Sequence, residues 1–164
     1  MSTLTPYVCF NGRTEEAIEF YCRALGARVA MLMRFADSPE PPPPGMLPPG
    51  SEQKVMHAEL DISGATLMLS DGSCTPSAQI AGVTLSLALP DEAAARRAFE
   101  ALADGGLVTM PLGPTFWSPL FGMLNDRFGL GWMVTVTAPV GAAAASGRTS
   151  AQDERAALEQ GAHA

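Results

Sequence analysis

The sequence predicts an α+β fold of two β-α-β-β-β modules, their sheets pairing into a curved mixed sheet over a shared core. Three observations predict it. Ala17, Phe20, Tyr21 and Ala24 recur at i, i+3, i+4 and i+7, which makes one apolar helical face. Ala95, Ala98, Phe99 and Leu102 repeat that spacing in the second half of the chain. Each helix has one strand-like run before it and three after it. A half of this size buries too little surface to stand alone, so the two halves should share a core.

From the N-terminus, Leu4 to Phe10 reads as a strand, rich in aromatic and β-branched residues. Asn11-Gly12 is a turn signal. Thr14 is placed to cap the first helix, and Glu15 and Glu16 put negative charge at its N-terminal dipole. Gly26 stops it. Val29 to Phe35 reads as the second strand. Residues 38–51 are dense in proline, which cannot donate to a sheet ladder, so they form an exposed connector of polyproline character. The same composition would suit a Pro-rich ligand of a signalling domain; a surface loop is the simpler reading.

Val55 to Ile62 and Thr66 to Ser70 form a hairpin about Ser63-Gly64. The pattern then restarts with a strand from Val83 to Leu89. Asp91 caps the second helix and Gly105-Gly106 ends it. Three strands follow: Leu107 to Leu112, Phe121 to Asn125 and Trp132 to Thr137. The expected organisation is one domain over 1–138, with module one at 4–72 and module two at 82–138. Residues 139–164 change to alanine- and glycine-rich composition and are expected to be a flexible tail with a short helix.

Composition limits the partners. The chain of 164 residues is 47% hydrophobic, ample for a core, and carries a net charge of −7. Lys54 is the only lysine among its ten basic residues, and no basic cluster exists to neutralise phosphates. Nucleic acid and anionic membranes are therefore not expected partners. No apolar run approaches the ~20 residues a membrane span needs. Met1-Ser2-Thr3-Leu4 lacks the charged and apolar regions of a secretion signal. Cys9, Cys22 and Cys74, odd in number and without metal-like spacing, read as reduced thiols of a cytoplasmic protein. Cys9, alternating within a strand, is expected to be a small core residue.

Candidate chemistry is concentrated in two places. In the strand Val55 to Ile62, alternation puts His57, Glu59 and Asp61 on one face and Met56, Ala58, Leu60 and Ile62 on the other. A histidine beside a carboxylate can act as a general base, and neighbouring donors can share a metal. The ordinary alternative is a solvated strand face with one structural histidine. His57 is the acid–base candidate, with Glu59 its partner; His163 falls in the tail. The second place is Thr115 to Met133, where Phe116, Trp117 and Trp132 can stack on a planar ligand or close the core. Ser70 joins the ligand-binding candidates, without a partner that would make it a nucleophile. Asp126 and Arg127 are read as a turn ion pair.

The motifs Pro6-Tyr7, Phe10-Asn11-Gly12, Glu16-Ala17, Phe20-Tyr21, Leu25-Gly26, Met56-His57-Ala58, Leu69-Ser70-Asp71, Phe116-Trp117, Phe121-Gly122, Asp126-Arg127-Phe128-Gly129 and Trp132 resemble one family. It is the PhnB-like branch of the vicinal oxygen chelate superfamily, which holds glyoxalases, ring-cleaving dioxygenases, and bleomycin and fosfomycin resistance proteins. The likeness covers roughly residues 4 to 137. It implies the glyoxalase/bleomycin resistance fold, a homodimer and a cavity for a small organic molecule. Members of the branch often carry the name of a demethylubiquinone methyltransferase. This chain shows no glycine-rich strand-to-helix turn for a methyl-donor cofactor.

Enzymes of the superfamily hold a divalent metal with His and Glu from the first and last strands of each module. Carried over, those positions fall at or near Pro6, Gly82 or Val83, and Met133, with Asp71 the one residue there able to ligate. Hard and borderline cations need two or three good donors at once, so no metal cofactor is expected. The leading expectation is a small-molecule-binding protein. The alternatives are a metal-dependent lyase, isomerase or dioxygenase aided by His57 and Glu59, and a drug-sequestering protein of the resistance type. Leu120, Phe121 and Met123 are the apolar candidates for dimer cover.

Overall fold

The computed structural model describes residues 3–40, 42–72 and 80–137. Its first module runs β1 (Tyr7–Cys9), α1 (Thr14–Leu25), β2 (Arg28–Arg34), a 3-10 turn (Phe35–Asp37), β3 (Val55–Ile62) and β4 (Ala65–Ser70). The second runs β5 (Thr84–Leu89), α2 (Glu92–Ala103), β6 (Leu107–Gly113), β7 (Phe121–Asn125) and β8 (Gly131–Val136). Each module builds a four-stranded mixed sheet, ordered β1-β4-β3-β2 and β5-β8-β7-β6. The first strand of each lies parallel to the last, and the other pairs are antiparallel. This is the predicted duplicated β-α-β-β-β architecture. The expected tail, 139–164, and Cys74 lie outside the described residues. No helix among the described residues is long and apolar enough to cross a membrane.

Each helix covers one face of its own sheet, and α1 and α2 also pack on each other. The core joins Ala17, Ile18, Phe20 and Tyr21 of α1 to Ala95, Phe99 and Leu102 of α2, over Ala58, Leu60 and Leu69 on one sheet and Leu124, Trp132 and Val134 on the other. Gly122 lets α2 approach, since a Cβ there would stand 2.8 Å from Cε2 of Phe99. At the β3–β4 hairpin, Ser63 (φ 53°) and Gly64 (φ 88°) both take the left-handed region, the geometry of a tight two-residue turn.

Several expectations are corrected. Strand β1 is short, and Leu4 ahead of it is exposed. Met56 is only half-buried, whereas Val55 is fully buried: Met33 pairs with His57 and the next residue, Arg34, with Val55, so Met56 is the extra residue on β3 that breaks the alternation there. Cys9 is exposed rather than core, because it shares a face with Tyr7, away from buried Val8.

Thr14 does not cap α1; it is the first helical residue, and its buried hydroxyl has no hydrogen-bond partner among the described residues. The cap comes from Asp71, just past β4. Its Oδ1 accepts from the Thr14 N–H at 2.8 Å and its Oδ2 from the Val55 N–H at 2.8 Å. A carboxylate at a helix N-terminus also complements the helix dipole. Asp91 caps α2 as predicted, accepting from the Ala94 N–H at 2.7 Å.

Asp126 and Arg127 do not pair with each other. The Asp126 side chain turns inward, where Oδ1 accepts from the backbone of Phe128 and Leu130. Its Oδ2 accepts from Tyr21 of the first module at 2.6 Å and from the Trp132 indole at 2.9 Å. Arg127 turns outward to Asp104 and over the Phe20 ring. A buried carboxylate needs directional donors, and the turn's own backbone and two aromatic hydroxyl and indole groups supply them.

Candidate binding face

The faces of the two sheets turned away from the helices carry the candidate site. Register defines what stands there. In the first sheet Tyr7, Met68, Glu59 and Met31 are direct cross-strand partners and form one continuous row over all four strands. In the second sheet the corresponding row is Ser86, Met133, Met123 and Met110. Met33 joins the first face opposite His57. The open faces thus gather most of the chain's nine methionines. Period-two spacing, as in Met31-x-Met33, was the available signal for this lining, but the cross-strand rows follow only from register.

His57 and Glu59 do meet. Their side chains are 26% and 29% exposed, and Nε2 lies 3.5 Å from Oε1. The Tyr7 ring stacks on the imidazole at 5.8 Å between centroids and 22° between planes. Asp61 shares the face but is engaged elsewhere. It pairs with Arg28 at 2.6 Å and accepts from the Gly64 N–H at 2.7 Å. The Arg28 bond, then that N–H, holds the Asp61 carboxyl below its ordinary pKa. Ser70 is buried. Its hydroxyl donates to the Met56 carbonyl and accepts from the Gly72 N–H, each at 2.9 Å, so it ties the end of β4 to β3.

The three aromatic candidates separate. Trp132 is 2% exposed and belongs to the core, with its indole held by Asp126. It also borders a cleft between the modules, lined with Pro6, Leu67, Leu85 and Ser86 among others, of about 140 Å³. That is below the ~300 Å³ at which pockets for drug-sized ligands begin. Phe116 and Trp117 do not close the core. They stand 95% and 51% exposed on the β6–β7 connection, edge to face at 4.5 Å. Trp117 rests in turn on Phe121. The Thr115–Ser118 turn beneath them is closed by hydrogen bonds, and buried Ser118 is tied to the Val136 carbonyl. Of the apolar residues expected to cover a dimer contact, Leu120 is 1% exposed and is core, while Phe121 and Met123 remain half-buried on the open face.

The positions the superfamily uses for a divalent metal do not fit one here. Pro6 has no ligand atom. Met133 and its partner Ser86 offer a thioether and a hydroxyl. Asp71 spends both oxygens on backbone N–H groups. Among the described residues no three His, Cys, Asp or Glu side chains stand together to hold a metal.

A profile of the Glyoxalase/Bleomycin resistance protein/Dioxygenase superfamily matches residues 3–134. Protein YjdN of Escherichia coli (strain K12) is 35% identical over 140 residues, or 81% of this chain and 94% of that protein. Among solved structures, protein PA1353 from Pseudomonas aeruginosa is 42% identical with a TM-score of 0.72, over 83% of this chain and 98% of that chain. A PhnB protein from Bacillus cereus, named for a 3-demethylubiquinone-9 3-methyltransferase, is 28% identical with a TM-score of 0.68. That match covers 83% of this chain and 100% of the other.

Proposed function

Since this chain belongs to the glyoxalase/bleomycin resistance protein/dioxygenase superfamily, we propose that it binds a small organic molecule between the open sheet faces of a homodimer. The observation that most supports this reading is the make-up of those faces. Methionine thioethers are polarizable and unbranched, and they adapt to irregular apolar shapes. Tyr7, His57 and Glu59 add a few directional groups at one side. Ligand pockets use this combination of an apolar lining and sparse polar groups. Among the described residues the faces have no cover: Tyr7 is 52% exposed and Met31 and Met110 are each 44% exposed. A second copy would enclose them, and the exposed Phe116–Trp117 pair would be buried with them.

The His57–Glu59 contact favours a second reading, in which the bound molecule loses a proton to His57. Glu59 would then stabilise the imidazolium. Neither reading includes a divalent metal, because His57 and Glu59 supply two donors where such a cation needs more.

Native mass spectrometry with elemental analysis of untreated protein tests the proposal. The expected result is a dimer without stoichiometric zinc, nickel, iron or manganese, carrying a retained organic mass or taking up a hydrophobic dye. One such metal per chain, lost on His57→Ala, would establish the metal-dependent enzyme instead. A monomer that takes up no dye would end the binding reading.

A further inference from the structure

We propose that His57, Met31 and Met68 form a site for a soft monovalent cation, Cu(I) or Ag(I), on the open face of the first sheet. The site is centred above Glu59. Met31 is its direct partner on β2 and Met68 its direct partner on β4. Directly opposed side chains have Cβ atoms about 4.5–5.5 Å apart, so the two thioethers flank the carboxylate from either side. His57 lies two residues earlier on the same strand and the same face. Its ring leans along the strand until Nε2 is 3.5 Å from Glu59 Oε1. The nitrogen therefore lies beside the carboxylate that the two methionine positions flank. Tyr7, the next residue in the row beyond Met68, stacks on the imidazole and fixes its direction.

The donor types decide the ion. Thioether and imidazole together select Cu(I) or its analogue Ag(I), whereas hard divalent cations prefer several oxygens. The charge also matches. Asp61 is neutralised by Arg28, so Glu59 is the carboxylate left to balance a single positive charge. The chain's net charge of −7 raises the local concentration of cations in general. The second module supplies an internal contrast. Its row of Met133, Met123 and Met110 presents thioethers with a methionine at the place of Glu59 and no imidazole. The proposal shares the open face with the organic ligand but does not rest on it.

Thiols bind these ions strongly, and Cys9 is exposed on the same face. The test therefore uses the full chain carrying Cys9→Ser, Cys22→Ser and Cys74→Ser, titrated with silver nitrate. Native mass spectrometry counts the ions, and NMR follows the methionine methyl and His57 ring signals. The expected result is one Ag(I) per chain, with shifts at Met31, Met68 and His57. Met31→Leu, Met68→Leu and His57→Gln should each weaken binding at least about tenfold, as expected for loss of a ligating group. Leucine keeps the volume of methionine, and thermal melts confirm that each variant is folded. Met110→Leu and Met133→Leu should leave binding unchanged. Absence of Ag(I) binding, equal losses from the two methionine rows, or indifference to Met31→Leu and Met68→Leu would each overturn the proposal. So would stoichiometric Zn(II) uptake that survives both leucine substitutions.

Discussion

The Tyr21 hydroxyl of the first module donates to Asp126 Oδ2 of the second at 2.6 Å, in a site buried from solvent. The bond links α1 to the β7–β8 turn. Around it Phe10, Phe20, Phe128 and Trp132 pack ring against ring. It adds a directional polar link to the core that the two duplicated halves share.

Tyr21→Phe removes one donor from a buried carboxylate and should cost about 1.5–3 kcal/mol, the usual worth of a hydrogen bond to a charged group. The pH dependence has a definite sign. Burial first, then the charge of Asp126, pushes the Tyr21 pKa above its ordinary 10.0. The folded state therefore keeps a proton that the unfolded chain loses. The stabilisation is complete below pH 10.0 and falls as pH rises past it. Urea melts from neutral to strongly alkaline pH should show wild type weakening above that point, with a flatter profile for Tyr21→Phe. Parallel profiles would mean that Tyr21 does not carry the effect.

Asp71→Ala should be among the most damaging single changes outside the apolar core. It strands the Thr14 and Val55 N–H groups, both bonded to the charged side chain, at a cost of roughly 3–5 kcal/mol. Asp91→Ala, a local cap on a solvent-facing helix end, should cost only ~1 kcal/mol. Denaturant midpoints of the two variants decide it, and equal losses would contradict the role assigned to Asp71.

For the proposed homodimer, Phe121→Glu or Met123→Glu should yield folded monomers, because both side chains stand half-buried on the open face. Leu120→Glu should unfold the chain instead, because that side chain is in the core. Light scattering and circular dichroism separate the outcomes. A wild type of monomer mass at micromolar concentration would remove the dimer.

Among the described residues, both sheets and both helices lie within 7–136. A chain ending at Pro139 should accordingly fold and melt within a few degrees of the full chain, the range expected for ~1 kcal/mol. A much larger drop would show that the removed residues contribute to the body.

The fold was legible in the chain because periodicity is a local property. Ala17, Phe20, Tyr21 and Ala24 could form one face only on a helix, and the same spacing at Ala95 to Leu102 announced the duplication. Gly26 and Asp91 did at the helix ends what their chemistry suggests. Alternation alone brought His57 and Glu59 to one face. The tertiary structure decided what those patterns face and which polar groups are consumed. Thr14 had the right identity for a cap, yet Asp71 arrived from the end of β4 and took the position. Asp126 and Arg127, neighbours in sequence, went to opposite environments because one could satisfy buried donors and the other could reach solvent. Phe116, Trp117 and Trp132 looked alike as aromatic residues, but only Trp132 lay on a strand face turned to the helices. The methionine rows arose from strand order and register. These are relations between distant segments, and no local pattern encodes them, because they depend on which strands pair and in what alignment.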